Sequence, residues 1–172
     1  APPNEGHPIV LADFGAADGG TSESAVRKCI EKIRARFPDV QIQVIYTDLP
    51  SNDFSALFKN LLGFGSLTPH TYLTDLEDVY VSACGVGFHK QLLPDALLDI
   101  GFSATAMHYI SEKPCPIDSH VHMVGASGDA LAAYASRAEK NWNDLLLARA
   151  SELRPGGRLV MLNFGIDEEG RY

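Results

Sequence analysis

The sequence predicts an α/β fold built on a doubly wound, mostly parallel sheet. Short apolar runs alternate with helical periodicities along the chain, the arrangement of consecutive βαβ units. The first run, Ile9-Val-Leu-Ala-Asp-Phe14, breaks at Gly15 and passes through Gly19 and Gly20 into an amphipathic stretch. Strand, tight glycine turn and helix in that order form the crevice of an open sheet. A second run ends at Asp48, where such sheets place an acid that accepts hydrogen bonds from ribose hydroxyls.

Each element follows from local chemistry. Ser22 is placed to cap the first helix, Glu23 lies in its first turn, and Ala25, Val26, Cys29, Ile30 and Ile33 form its apolar stripe until Pro38 closes it. Gln41 to Thr47 alternates and is rich in β-formers, giving the second strand. Asp53 caps a short helix carrying Phe54, Leu57, Phe58, Leu61 and Leu62. A loop is expected from Gly63 to Leu76, a third strand over Val79–Cys84, and another helical stretch through Leu92, Leu93, Leu97 and Leu98. Gly101 to Thr105 predicts a fourth strand, and the Pro-, Gly- and His-rich stretch from Lys113 to Gly128 a long excursion. Asp129 then caps a long helix with Leu131, Ala135, Ala138, Trp142, Leu145, Leu146 and Ala150 at helical spacing. Arg154-Pro-Gly-Gly157 ends that helix, and Arg158–Phe164 predicts a buried strand.

Composition narrows the function classes. At 172 residues the chain is about one domain, with 45% hydrophobic and 21% charged residues, as in ordinary globular proteins. A net charge of −8 and a pI near 5.1 argue against nucleic acid or an anionic membrane as partner. No apolar run approaches the roughly 20 residues of a membrane span. Cys29, Cys84 and Cys115 are scattered, with neither disulfide-framework nor zinc spacing, so a cytoplasmic setting is expected. The chain starts at Ala1 without methionine and stops at Tyr172. Both ends read as cuts, and a core excised from a longer protein is expected.

The glycine turn carries the ligand chemistry. A dinucleotide loop wants glycine at its first, third and sixth positions so that backbone can approach a pyrophosphate. Here the turn reads Gly15-Ala-Ala-Asp-Gly-Gly20, with Ala17 in the third place and Asp18 beside it. A methyl crowds a diphosphate and a carboxylate repels one, whereas Asp13 and Asp18 suit a cationic ligand such as S-adenosylmethionine. An ordinary strand–helix connection fits the same residues, and Asp48 also fits a plain turn aspartate before Pro50. The order of the two features, turn after the first strand and acid after the second, favours a binding site.

With these residues quoted, the chain resembles the SABATH family of S-adenosylmethionine-dependent carboxyl methyltransferases, the group containing salicylate and jasmonate methyltransferases. The resemblance runs from Ile9 to Gly165 and is nearer to bacterial-type members. Its blocks are Ala12–Thr21, Thr47-Asp-Leu-Pro-Ser-Asn-Asp-Phe54, Gly87-Phe-His-Lys-Gln-Leu-Leu-Pro94, Ser103–Ser111 and Arg149–Arg158. The second block is the most diagnostic. The resemblance implies a class I methyltransferase, Rossmann-like sheet, without the family's helical cap and N-terminal closing segment in this chain.

It also implies site residues. Asp13, Gly15, Ala16 and Thr21 would meet the cofactor, Asp48 and Leu49 its ribose, and Gly87 and Phe88 its adenine. Thr105, His108 and Tyr109 would line the acceptor pocket, with Tyr109 in place of the family's usual tryptophan and Thr105 where tyrosine is common. A carboxylate acceptor is already nucleophilic at neutral pH, so no catalytic acid or base is assigned, and His108 and Tyr109 would steer one oxygen toward the methyl. The expected partner is a small carboxylic acid, nitrogen acceptors of xanthine-methylating relatives remaining open, and a homodimer is possible by analogy. Asp118-x-His120-x-His122 could share a strand face, but with no fourth ligand nearby a solvated loop is the better reading, and no metal is assigned. Two other functions stay open: a methyltransferase-like binding protein without turnover, and an NAD(P)-linked oxidoreductase.

Overall fold

The computed structural model describes residues 6–65, 69–118, 120–165 and 168–169, so the chain ends and part of the loop expected over 63–76 lie outside it. Five strands, β1 (Ile9–Phe14), β2 (Ile42–Thr47), β3 (Val79–Cys84), β4 (Leu98–Ala104) and β5 (Leu153–Leu162), form one sheet in the order β3-β2-β1-β4-β5. All adjacent pairs are parallel. The doubly wound sheet expected from the sequence is therefore present.

Alternation along β1 sorts the two cores. Ile9 and Leu11 pack with Val26 and Ile30 of α1 (Glu23–Arg36), Leu57 and Leu61 of α2 (Phe54–Leu61), and Tyr72 of α3 (Tyr72–Asp75). Val10, Ala12 and Phe14 pack on the opposite face with Leu93, Leu98, Met107 and Leu145 of α4 (Gly128–Glu152). Every residue of β1 is buried, as a central parallel strand covered on both faces must be.

Five local expectations need correction. Leu92 to Leu97 form no helix, and Leu98 opens β4. The amides of Leu92 and Leu93 donate to the Glu152 carboxylate and that of Ala96 to the Ser151 carbonyl, so helical partners are replaced by tertiary ones. Within the expected loop, Thr71 and Thr74 build a reciprocal capping box that nucleates α3. Ser127, rather than Asp129, takes the N-cap position of α4.

The Pro-Gly-Gly segment does not end a helix either. The helix α4 stops at Glu152, and Arg154–Gly157 bulge out of β5, because Leu98 pairs with Leu153 while Ile100 pairs with Arg158. Gly156 supplies the left-handed conformation the bulge requires, with φ +86°. β5 is also not a buried strand. Among the described residues it is one edge of the sheet, with β3 the other, and Val160 and Leu162 stand exposed.

Ile30 lies fully buried where α1 meets the sheet. Ile30→Ala is expected to lower the free energy of unfolding by about 2–4 kcal/mol, read from urea denaturation.

Candidate functional site

The strand order changes direction between β1 and β4, and connections leaving to opposite sides there open a crevice at the strands' carboxyl ends. A cavity of about 840 Å³ occupies that position. Asp13 from β1, Asp48 after β2, Gly85 after β3 and Thr105 after β4 all line it. So do Gly15, Ala16, Thr21, Leu49, Gly87, Phe88 and Tyr109. The structure thus brings together every candidate residue except His108.

Gly15 makes the first turn possible. Its φ is +84°, and a Cβ there would lie 2.2 Å from the Cβ of Ala106, so only glycine fits. Two residues later Ala17 is held at φ +47° without that freedom. Asp48 Oδ2 accepts from the Ala17 amide at 2.7 Å, and Asn52 Nδ2 donates to the Ala17 carbonyl at 2.8 Å. Asn60 Nδ2 donates to the Asp18 carbonyl at 3.0 Å, and Asp53 caps α2 by accepting from the Ala56 amide. The residues from Asp48 to Asp53 are therefore a strap on the first turn. The sequence marked the block but not this role of Asn52.

Those bonds decide what the turn can bind. The amides of Gly15 and Ala16 donate to the Thr47 carbonyl, that of Ala17 to Asp48, that of Gly19 to the Ala16 carbonyl, and that of Gly20 to Asp18. A diphosphate cradle needs such amides free. Here they are committed within the protein. Asp18, expected beside the ligand as a negative charge, instead points its carboxylate back at Gly20 and is not part of the cavity wall.

Asp13 has the opposite character. It is 3% exposed, it lines the cavity, and its Oδ2 has no hydrogen-bond partner. Burial pushes its carboxyl up to about 6; a hydrogen bond from Ser22 opposes the rise and the charge of Asp48 adds to it. A buried carboxylate with one oxygen unpartnered, beside a second acid, is a site for a cation. Such a group fits the sulfonium and ammonium of S-adenosylmethionine. Asp48 spends lone pairs on Ala17 and Leu49, both at 2.7 Å, yet a carboxylate keeps further lone pairs for hydroxyl donors.

Opposite Asp13, Gly87 lies under Leu49, whose Cδ2 would be 3.3 Å from a Cβ at Gly87. The rings of Phe88 and His89 lie 4.7 Å apart. His89, a wall residue that the sequence did not single out, bonds through Nε2 to the Tyr109 carbonyl at 3.1 Å, and burial holds its pKa below the usual histidine value. His108 faces an adjoining hollow with Met107, Trp142 and Phe164. Its ring centroid lies 4.5 Å from that of Tyr109 and meets Phe164 edge-on, and its Nδ1 is buried without a partner. The exposed His120 and His122 accept from nearby backbone amides, those of His122 and Val124.

Residues 3–172 match the family described as SAM dependent carboxyl methyltransferase. The chain belongs to that family. Farnesoic acid carboxyl-O-methyltransferase of Arabidopsis thaliana is 27% identical over 168 residues, covering 90% of this chain and 45% of the relative. Salicylate carboxymethyltransferase of Clarkia breweri is 27% identical over 174 residues, covering 95% and 46%. Among solved structures, loganic acid methyltransferase with SAH superposes with a TM-score of 0.74 at 20% identity, covering 94% of this chain and 46% of that one. The chain thus spans just under half the length of these relatives, and the class I methyltransferase fold expected from the motifs is confirmed.

Gly15→Ala is expected to destabilise the protein by about 3 kcal/mol or more, from positive-φ strain and the contact with Ala106, measured by chemical denaturation. Asp13→Asn should have the reverse effect on the ligand-free protein. Because the folded carboxyl titrates above its unfolded value, its stabilising contribution is complete below about pH 4 and lost as pH rises through 6. At pH 7 the asparagine variant should gain about 2–3 kcal/mol, a difference that vanishes toward pH 4 in urea titrations.

Proposed function

We propose that residues 1–172 form the cofactor-binding core of an S-adenosylmethionine-dependent O-methyltransferase that methylates the carboxylate of a small organic acid. One observation carries the reading: the cavity offers a buried carboxylate at Asp13 whose Oδ2 has no partner, while the amides of Gly15, Ala16, Ala17, Gly19 and Gly20 are already bonded. That chemistry suits a cation and refuses a diphosphate, which disfavours an NAD(P)-linked oxidoreductase. Family membership and relatives named for farnesoic, gibberellic and salicylic acids support the acceptor class. The three free cysteines and the net charge of −8 support a cytoplasmic enzyme acting on a small molecule rather than on nucleic acid. No helix among the described residues is long and apolar enough to cross a membrane.

The cofactor would be held by Asp13, Gly15, Ala16 and Thr21 along the first turn, by Asp48 and Leu49 at the ribose, and by Gly87 and Phe88 at the adenine. When bound, S-adenosylmethionine supplies a methyl group on a positively charged sulfur. An organic acid enters already ionised at neutral pH, so no residue need remove a proton from it. Thr105 and Tyr109 stand where the acceptor would lie, and the Tyr109 hydroxyl can donate to one carboxylate oxygen and leave the other free to react. His108, stacked on Tyr109 from the adjoining hollow, holds that ring from behind. Leu49, Phe88 and Leu162 give the cavity apolar walls against which a bound cofactor would shed water. Rate enhancement on this arrangement comes from alignment and desolvation.

Calorimetric titration of the full-length polypeptide should show binding of S-adenosylhomocysteine and S-adenosylmethionine but not NAD. Affinity for S-adenosylmethionine should fall toward about tenfold per unit as pH drops below 6, because protonated Asp13 offers no charge, and Asp13→Asn should flatten that profile. Transfer of labelled methyl to members of a carboxylic-acid panel is the expected activity. Binding without transfer to any acid would replace this reading by a binding protein without turnover; NAD binding would overturn it.

A further inference from the structure

The connection from β3 to β4 carries Gly87 and Phe88 yet has no helix or strand of its own. Its backbone polar groups still need partners wherever they are buried. Two side chains from the last turn of α4 supply them. Arg149 and Glu152 are 1% and 0% exposed and form a two-pronged ion pair, Nε to Oε2 at 2.7 Å and Nη2 to Oε1 at 2.6 Å. The guanidinium also donates to the Phe88 carbonyl through Nη1 and to the Lys90 carbonyl through Nη2, both at 2.8 Å. On the other side Glu152 Oε1 accepts from the amides of Leu92 and Leu93. The guanidinium carbon sits 4.4 Å from the Phe14 ring centroid at the tip of β1.

A buried ion pair is a poor way to gain stability, since removing two charges from water offsets most of their attraction. This pair does something an apolar pair cannot. Its remaining donors and lone pair fix carbonyls at 88 and 90 and amides at 92 and 93, while the face of the guanidinium rests on β1. The loop is thereby held against the strand that carries Asp13 and leads into the glycine turn.

We propose that Arg149 and Glu152 are positioning residues that set the adenine-side wall of the cofactor cavity, acting through the backbone of Phe88–Leu93 without touching the ligand. The inference rests on the cofactor reading given above. Neither side chain lines the cavity. Lysine at 149 could replace the charge but not the planar fork, so it should rescue only in part.

The experiment compares full-length variants with a second, remote ion pair. Arg154 and Asp99 pair at the opposite end of β4, where Asp99 also accepts from the Val10 amide at 2.9 Å. The double replacement Arg149→Met with Glu152→Leu keeps apolar volume and leaves no lone buried charge. The KM for S-adenosylmethionine and the Kd for S-adenosylhomocysteine are expected to rise about 10–100-fold. By contrast, kcat at saturating cofactor and the acceptor KM should stay within about twofold of the parent. Arg149→Lys should fall between parent and double variant, and hydrogen exchange should quicken at the Leu92 and Leu93 amides. Asp99→Asn should lower the melting temperature while leaving both cofactor constants unchanged. Equal cofactor constants in parent and double variant would overturn the proposal, as would a uniform loss of kcat with unchanged KM. Failure of the parent itself to bind S-adenosylhomocysteine would instead count against the cofactor reading. Should the double variant not fold, Arg149→Lys, which keeps the charge pair but not the planar fork, is the variant tested: both cofactor constants should rise about 3–10-fold with kcat unchanged, and constants equal to the parent's would overturn the proposal.

Discussion

The peptide of Ala17 is the joint on which the cavity depends. Asp48 takes its amide and Asn52 its carbonyl, so the first turn is fastened from the second βα connection on both sides of one residue. That fastening holds Ala17 in a left-handed conformation a non-glycine residue resists. Bonds to Thr47, Ala16 and Asp18 engage the amides of Gly15, Ala16, Gly19 and Gly20 in turn, and the Asp13 Oδ2 faces the cavity without a partner. The two bonds to Ala17 set the geometry of the turn, while the burial of Asp13 sets the charge the cavity favours.

From this joint the site reads as a compromise between folding and binding. A buried carboxylate with one oxygen left without a partner is unfavourable to the ligand-free chain. The apolar contacts of the two cores, including Val26, Ile30 and Leu57 on one face and Leu93 and Leu145 on the other, supply the surplus that tolerates it. The hydroxyls of Tyr46 and Tyr72 meet at 2.8 Å in the core below, and burial raises both phenols. They satisfy each other as neutral groups and leave the negative charge to the carboxylates.

Much of this was legible in the residues. The sheet, its parallel pairing and the positions of β1, β2, β3 and α1 followed from alternation and stop signals, because local pattern and burial agree there. Asp48 stood out because an acid after the second strand has a chemical purpose. What local pattern could not reveal were features built from distant partners. Leu92, Leu93, Leu97 and Leu98 have helical spacing, but Glu152 and Ser151 capture the backbone of that segment. Pro-Gly-Gly resembles a helix stop and turned out to be a bulge, since Leu153 had already paired with Leu98. Asp18 looked like a ligand to a cation until the Gly20 amide claimed it. His108 lies beside Tyr109 in sequence and in space, yet only Tyr109 reaches the main cavity; His108 lines the adjoining hollow that the two share.

The outer strand has a consequence for handling the protein. Along β5, the exposed Val160 and Leu162 stand beside backbone groups that no described strand pairs. An unguarded edge of this kind is a template for annealing to another extended segment. Prepared by itself at high concentration, this stretch of polypeptide will tend to stick edge to edge, and a charged residue substituted at position 160 is the simplest remedy.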